Sequence, residues 1–106
     1  MNFQFVKSRV KRSINKHLGI IDIGSNSVRL VIYRYKGNYI FPVFNERVNC
    51  KLGEGLDNRS RLKIKRMNFA LVVLKRYAKI MNNMKLNKKL IFATAAVRRA
   101  KNGNEF

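Results

Sequence analysis

The chain has 106 residues, enough for one small domain with a limited core. Its apolar content of 46% argues against wholesale disorder, and no apolar run approaches the ~18 residues that a membrane span needs. Charge is the anomaly: 24 Lys and Arg face 5 Asp and Glu, a formal +19 that attracts polyanions of any kind, whether nucleic acid, anionic membrane surface or polyphosphate. The basic residues are spread along the whole chain, so a proteome rich in lysine and asparagine explains them equally well.

Residues 1–17 carry Phe3, Val6, Val10 and Ile14 at roughly helical spacing, with Lys7, Arg9, Lys11, Arg12 and Lys16 between them. This reads as a flexible basic extension; a short amphipathic helix at a membrane surface and a targeting-type leader are the alternatives. No long apolar segment or small-residue cleavage site supports secretion. Residues 18–106 form the folded part. Leu18 to Ile23 is continuously apolar, as expected of a central strand covered on both faces. From Val28 to Tyr35 apolar residues alternate with strand periodicity, and Lys36-Gly37-Asn38 is a hairpin signal. The next strand, Tyr39 to Leu52, contains Pro42, which cannot donate to a ladder and belongs at an edge or a bulge.

The helical stretch from about Leu62 to Met84 places Met67, Ala70, Leu71, Leu74, Tyr77, Ala78 and Met81 on one face. Its first turn holds Lys63, Lys65 and Arg66, against the helix dipole. Ser60 is a candidate cap for an earlier start. Asn87-Lys88-Lys89 ends the helix, and Leu90 to Ala93 reads as a short buried strand. A strand, a helix and a strand argue a crossover that returns parallel to the first strand. A second helix begins at Ala95 and runs to Lys101, with its N-terminus toward the turn after the first strand.

The chemistry concentrates in Asp22-Ile23-Gly24-Ser25-Asn26-Ser27. Gly24 gives backbone freedom and close approach, successive amides form a nest for an anion, and Ser25 and Ser27 add hydroxyl donors. Asp22, at a strand end, is placed to hold a magnesium ion beside a bound phosphate. An ordinary hairpin turn, its polar side chains satisfying the backbone, explains the same residues. Gly53 and Gly55 bracket Glu54 in a second glycine-rich loop, either a cleft loop or a plain connection. Thr94 falls beside the first turn, and Arg98, one turn into the second helix, can grip a phosphate with its fork. Cys50 is the only cysteine and His17 the only histidine. Neither has a partner for a disulfide or a metal site, Cys50 reads as a structural residue, and a reducing cytoplasm fits.

Three blocks carry a family resemblance, in the family's order: Ile21 to Ser27, then Leu52-Gly53-Glu54-Gly55-Leu56, then Ala93-Thr94-Ala95-Ala96-Val97-Arg98, extended by Lys101 to Phe106. The segment from Leu18 to Phe106 resembles the N-terminal lobe of the exopolyphosphatase and guanosine pentaphosphate phosphatase family. The resemblance implies an α/β fold of the actin-like, sugar-kinase-like (ribonuclease H-like) ATPase group, with a three-strand antiparallel meander, then a helix and a parallel strand. It implies release of a terminal phosphate from polyphosphate or guanosine pentaphosphate with Mg²⁺. Phosphate binding falls to Gly24, Ser25, Asn26, Ser27, Thr94 and Arg98, metal binding to Asp22, and a cleft-loop role to Glu54 and Gly55. In the family a second lobe carries another glycine-rich turn and the glutamate that activates water. The expectation is therefore a fragment, active only with a second lobe or as part of an oligomer. A non-catalytic anion-binding module and a basic nucleic-acid-binding protein are the other readings.

Overall fold

The computed structural model describes residues 16–54, 61–93, 97, 100, 102–104 and 106. The elements are β1 (Lys16–Ile23), β2 (Ser27–Lys36), β3 (Tyr39–Asn49), α1 (Ile64–Asn83) and β4 (Lys88–Ala93). The strands form one sheet in the order β3-β2-β1-β4. β1, β2 and β3 make the antiparallel meander; β4 returns parallel beside β1, with Ala93 opposite Ile23. This is the α/β topology that the sequence implies. No helix among the described residues is long and apolar enough to cross a membrane.

The turn between β2 and β3 uses Gly37 at φ 58°, the left-handed conformation a tight hairpin asks for. Farther along β3 the register slips: Ile32 faces Phe44 while Tyr33 faces Pro42, leaving Val43 as the extra residue. Pro42 thus sits at a bulge on an edge strand, where its missing N–H costs no ladder bond.

α1 covers one face of the sheet. Ile21, Ile23, Val28, Leu30 and Ile32 meet Ala70, Val73, Tyr77 and Met81 in a single buried cluster. Burial of this kind contributes about 25 cal/mol per Å² of apolar surface and supplies most of the fold's cohesion. Gly19 lets the helix end come close: an added Cβ would lie 2.4 Å from Leu86 Cδ1 and 3.0 Å from Met81 Sδ.

The sequence reading needs correction at several points. β1 is covered on one face only; Asp22 is exposed and Leu18 and Ile20 half-buried. β4 is not a buried strand. Among the described residues it forms a sheet edge, and Leu90, Ile91 and Phe92 are 44%, 62% and 52% exposed. On α1, Leu71 and Ala78 face solvent while Val73 is buried, because the stripe facing the sheet passes one position away from them. The helix ends at Asn83, earlier than expected, where Lys85 turns left-handed at φ 51° and frees Lys88 and Lys89 to open β4. Lys51, at φ 54°, likewise stops β3 short of Leu52. At the other end, Lys16 and His17 are the first rungs of β1. The His17 amide donates to Asn87 Oδ1 at 2.8 Å, and the Asn87 amide donates to the His17 carbonyl at 2.9 Å.

The start of α1 is unusual. Lys63 occupies the cap position without a side-chain cap bond, and the first turn holds no acid. Each cation there opposes the dipole by ~0.3–1 kcal/mol. Ser60, the candidate cap, lies outside the described residues. A distant residue holds this entry instead. Asn102 Oδ1 accepts the Leu62 amide at 2.7 Å, and Asn102 Nδ2 donates to the Leu62 carbonyl at 3.0 Å. Both residues are buried. Next to it, Gly103 has no room for a side chain: an added Cβ would lie 2.1 Å from the Val97 carbonyl oxygen. The end of the third sequence block is therefore a structural clamp. Asn102→Ala should cost about 2–4 kcal/mol in urea unfolding, since two buried backbone groups lose their partners. Asn104→Ala, at an exposed position, should stay within about 0.5 kcal/mol of the parent.

Candidate anion-binding site

The β1–β2 turn is closed by one short bond: the Gly24 amide donates to the Ser27 carbonyl at 2.8 Å. Two further bonds come from the segment after β3. The Lys51 amide donates to the Asn26 carbonyl at 2.8 Å, and the Gly53 amide donates to the Ser25 carbonyl at 2.8 Å. Lys51 can make this strap because its left-handed backbone turns the chain back toward β2. The Glu54 amide closes the strap on the Lys51 carbonyl at 3.2 Å.

These bonds change the expected nest. Gly24 spends its amide inside the hairpin, so it has none to offer a ligand, and it does not adopt a left-handed conformation. The amides of Ser25 and Asn26 remain: among the described residues they donate to nothing, and both residues are exposed. The strap holds the Ser25 carbonyl, which shares a peptide group with the Asn26 amide, so that amide has a fixed orientation; the Ser25 amide belongs to the Gly24–Ser25 peptide, to which the strap makes no bond. Two amides with the Ser25 and Ser27 hydroxyls form a small donor set at the end of β1.

Asp22 is exposed on the face opposite α1. It lies in register with Arg29 on β2 and Phe92 on β4, and Arg29 faces Arg47 on β3. Arg29 Nε also donates to Asn45 Oδ1 at 3.1 Å. A carboxylate flanked by a row of guanidinium groups is thus part of this surface. Sequence reasoning missed Arg29 and Arg47, although a hairpin closed at Ile23 and Val28 dictates the pairing of Asp22 with Arg29. No cluster of three or more His, Cys, Asp or Glu is present among the described residues. Asp22 therefore supplies one carboxylate, and the neighbouring donors are hydroxyl oxygens, a hard set suited to Mg²⁺ that keeps most of its waters.

The other candidates fall differently. Glu54 is exposed and pairs with Arg66 Nη2 at 3.6 Å, which ties the strap to the start of α1. Gly55, Thr94 and Arg98 lie outside the described residues. The pairing of Ala93 with Ile23 brings the end of β4 alongside the turn, which is the register the expectation for Thr94 requires.

Beneath the turn, the core is closed by Tyr77. Its side chain is fully buried, and its hydroxyl lies 3.2 Å from the carbonyl oxygens of Val28 and Glu46. Arg76 adds an ion pair with the Glu46 carboxylate. Burial, with Glu46 nearby, pushes the Tyr77 hydroxyl up to about 12. Cys50 is buried too, and burial raises its thiol despite a hydrogen bond with the Val28 backbone, so it is a packing residue and not a poised nucleophile. Because the folded state raises the Tyr77 pKa above the ordinary tyrosine value of 10.0, its contribution to stability is complete below that pH and is lost as pH climbs through about 12. Tyrosinate absorbance should show a late step near that pH, coincident with unfolding, and Tyr77→Phe should remove the step.

Comparison with known proteins bears on what this surface serves. The family model of the Ppx/GppA phosphatases matches residues 31–106. Exopolyphosphatase 1 of Mycobacterium tuberculosis is 28% identical over 89 residues, covering 83% of this chain and 26% of that protein; the Mycobacterium leprae protein of the same name matches to the same extent. The crystal structure of the Aquifex aeolicus Ppx/GppA family member superimposes with a TM-score of 0.83 at 34% identity, covering 87% of this chain and 30% of that one. A Cytophaga hutchinsonii exopolyphosphatase gives a TM-score of 0.79 at 26% identity, covering 85% and 29%. The chain thus spans under a third of the length of these relatives, and its sheet and helix are those of their actin-like ATPase N-terminal domain. By sequence and by structure, the chain belongs to the Ppx/GppA phosphatase family.

Proposed function

We propose that the 106 residues serve as the phosphate-gripping part of an exopolyphosphatase-type hydrolase. The observation that supports this best is the strapped turn beside Asp22, where the strap orients the Asn26 amide and, among the described residues, neither it nor the Ser25 amide has an acceptor. A terminal phosphoryl group fits that donor set. Its oxygens accept from the two amides and from the Ser25 and Ser27 hydroxyls, with Thr94 and Arg98 completing the grip from the end of β4. Asp22 holds Mg²⁺ through carboxylate or water; when bound, the ion offsets the negative charge that builds on the phosphoryl oxygens during in-line transfer to water. Inorganic polyphosphate is the first candidate substrate, since the named relatives are exopolyphosphatases, and guanosine pentaphosphate presents the same terminal chemistry.

Activation of water needs another carboxylate. Glu46 is engaged by Arg76 and Glu54 by Arg66. Asp57 and Glu105 lie outside the described residues. The family resemblance assigns the base to a second lobe outside these 106 residues, and such a lobe would also exclude water and position the substrate. A reducing cytoplasm suits the free, buried Cys50.

The test is calorimetric titration with pyrophosphate, paired with a phosphate-release assay on polyphosphate and guanosine pentaphosphate. Binding should strengthen with Mg²⁺, and Asp22→Asn should abolish that gain while leaving metal-free binding unchanged or slightly tighter. The isolated chain should release no phosphate above background. Turnover that disappears in Asp22→Asn would show that one lobe suffices and would overturn the assignment of the base.

A further inference from the structure

A second surface concentrates positive charge more tightly than the turn does. Lys51, Lys63, Lys65 and Arg66 line one cavity of about 480 Å³, together with Asn49 and Phe69. That volume lies within the range of small-molecule sites. The four cations come from two separate elements. Lys51 is fixed by its left-handed backbone and its amide bond to Asn26, whereas the other three belong to the cap position and first turn of α1. Glu54, 3.6 Å from Arg66, is the carboxylate that opposes them among the described residues. Lys63, Lys51 and Lys65 form no ion pair there, so their mutual repulsion is relieved only by solvent or by a bound anion.

We propose that this cavity is an oxyanion site, distinct from the Asp22–Ser27 turn, that takes a phosphate or the phosphoryl end of a longer phosphate chain. The chemistry is direct: ammonium and guanidinium groups donate charge-assisted hydrogen bonds to phosphate oxygens, with Arg66 able to present two donors at once. Phe69 forms an apolar wall and Asn49 an additional donor. The proposal does not depend on the activity assigned to the turn. The two are neighbours through the backbone bond from Lys51 to Asn26.

Amide resonances of the chain, titrated with inorganic phosphate and then pyrophosphate, separate the two sites. Lys51, Lys65 and Arg66 should shift together and saturate. Lys63→Gln/Lys65→Gln should weaken that response by about tenfold or more, the scale of losing charge-assisted bonds. Lys75→Gln/Lys79→Gln removes equal charge from elsewhere on α1 and should change affinity by less than about threefold, as distant exposed charges do. Without anion, the Lys63→Gln/Lys65→Gln protein should melt higher than the parent and gain nothing from added phosphate, which shows the fold is intact. Equal losses from both double variants, or shifts that never saturate, would reduce the cavity to bulk charge attraction and overturn the proposal. Shifts confined to Ser25 and Asn26 would overturn it while sparing the turn. Shifts confined to the cavity would sustain it and remove the turn as a phosphate site.

Discussion

Two backbone hydrogen bonds organise this small protein: Lys51 to Asn26 and Gly53 to Ser25, each 2.8 Å long. They join the segment after β3 to the turn between β1 and β2. A four-residue polar turn alone samples many peptide orientations. With the Ser25 and Asn26 carbonyls held, the peptide groups that carry the Asn26 and Ser27 amides keep one orientation. The strap in turn depends on Lys51 accepting a left-handed backbone, a conformation that costs a residue with a Cβ roughly 1–2 kcal/mol. The cohesion beneath, where Cys50, Leu52 and Tyr77 are buried with Val28, offsets that cost.

The rest of the fold serves the same end. α1 packs on a single face of the sheet, and Tyr77 reaches from it to the Val28 carbonyl just behind the turn. The opposite face carries Asp22, Arg29 and Arg47 and keeps Leu18 and Ile20 half-exposed. Among the described residues β4 has no strand on its outer edge, and three of its apolar side chains are accessible. Such an edge attracts further chain or association. Positive charge follows a similar division. Arg76 pairs with Glu46 and Arg66 with Glu54, while Lys51, Lys63 and Lys65, around a cavity next to the strap, form no ion pair among the described residues.

Much of this was legible in the sequence because it rests on local rules. Pro42 announced an edge or a bulge, and the structure supplies both. Lys36-Gly37-Asn38 announced the hairpin, and Lys63, Lys65 and Arg66 announced a first helical turn that is basic and without an acid. Other features depend on pairings across the chain. That Gly24 uses its amide internally follows from hairpin closure, which turn composition does not reveal. Arg29 entered the site by register alone. Asn102 acts on Leu62 across 40 positions, and neither residue's surroundings in sequence hint at the other. Leu90 to Phe92 misled for another reason. An apolar run reports what a strand suits, and whether anything covers it is decided elsewhere.

The account stands on the strap as the device that orients the turn. Amide hydrogen exchange of the free chain tests this most directly. Lys51 and Gly53 should be protected to nearly the level of β1 amides such as Ile21, although they lie outside any strand, while Ser25 and Asn26 exchange at rates close to unstructured peptide. Exchange of Lys51 and Gly53 as fast as Ser25 would mean that the turn is not held in the free chain.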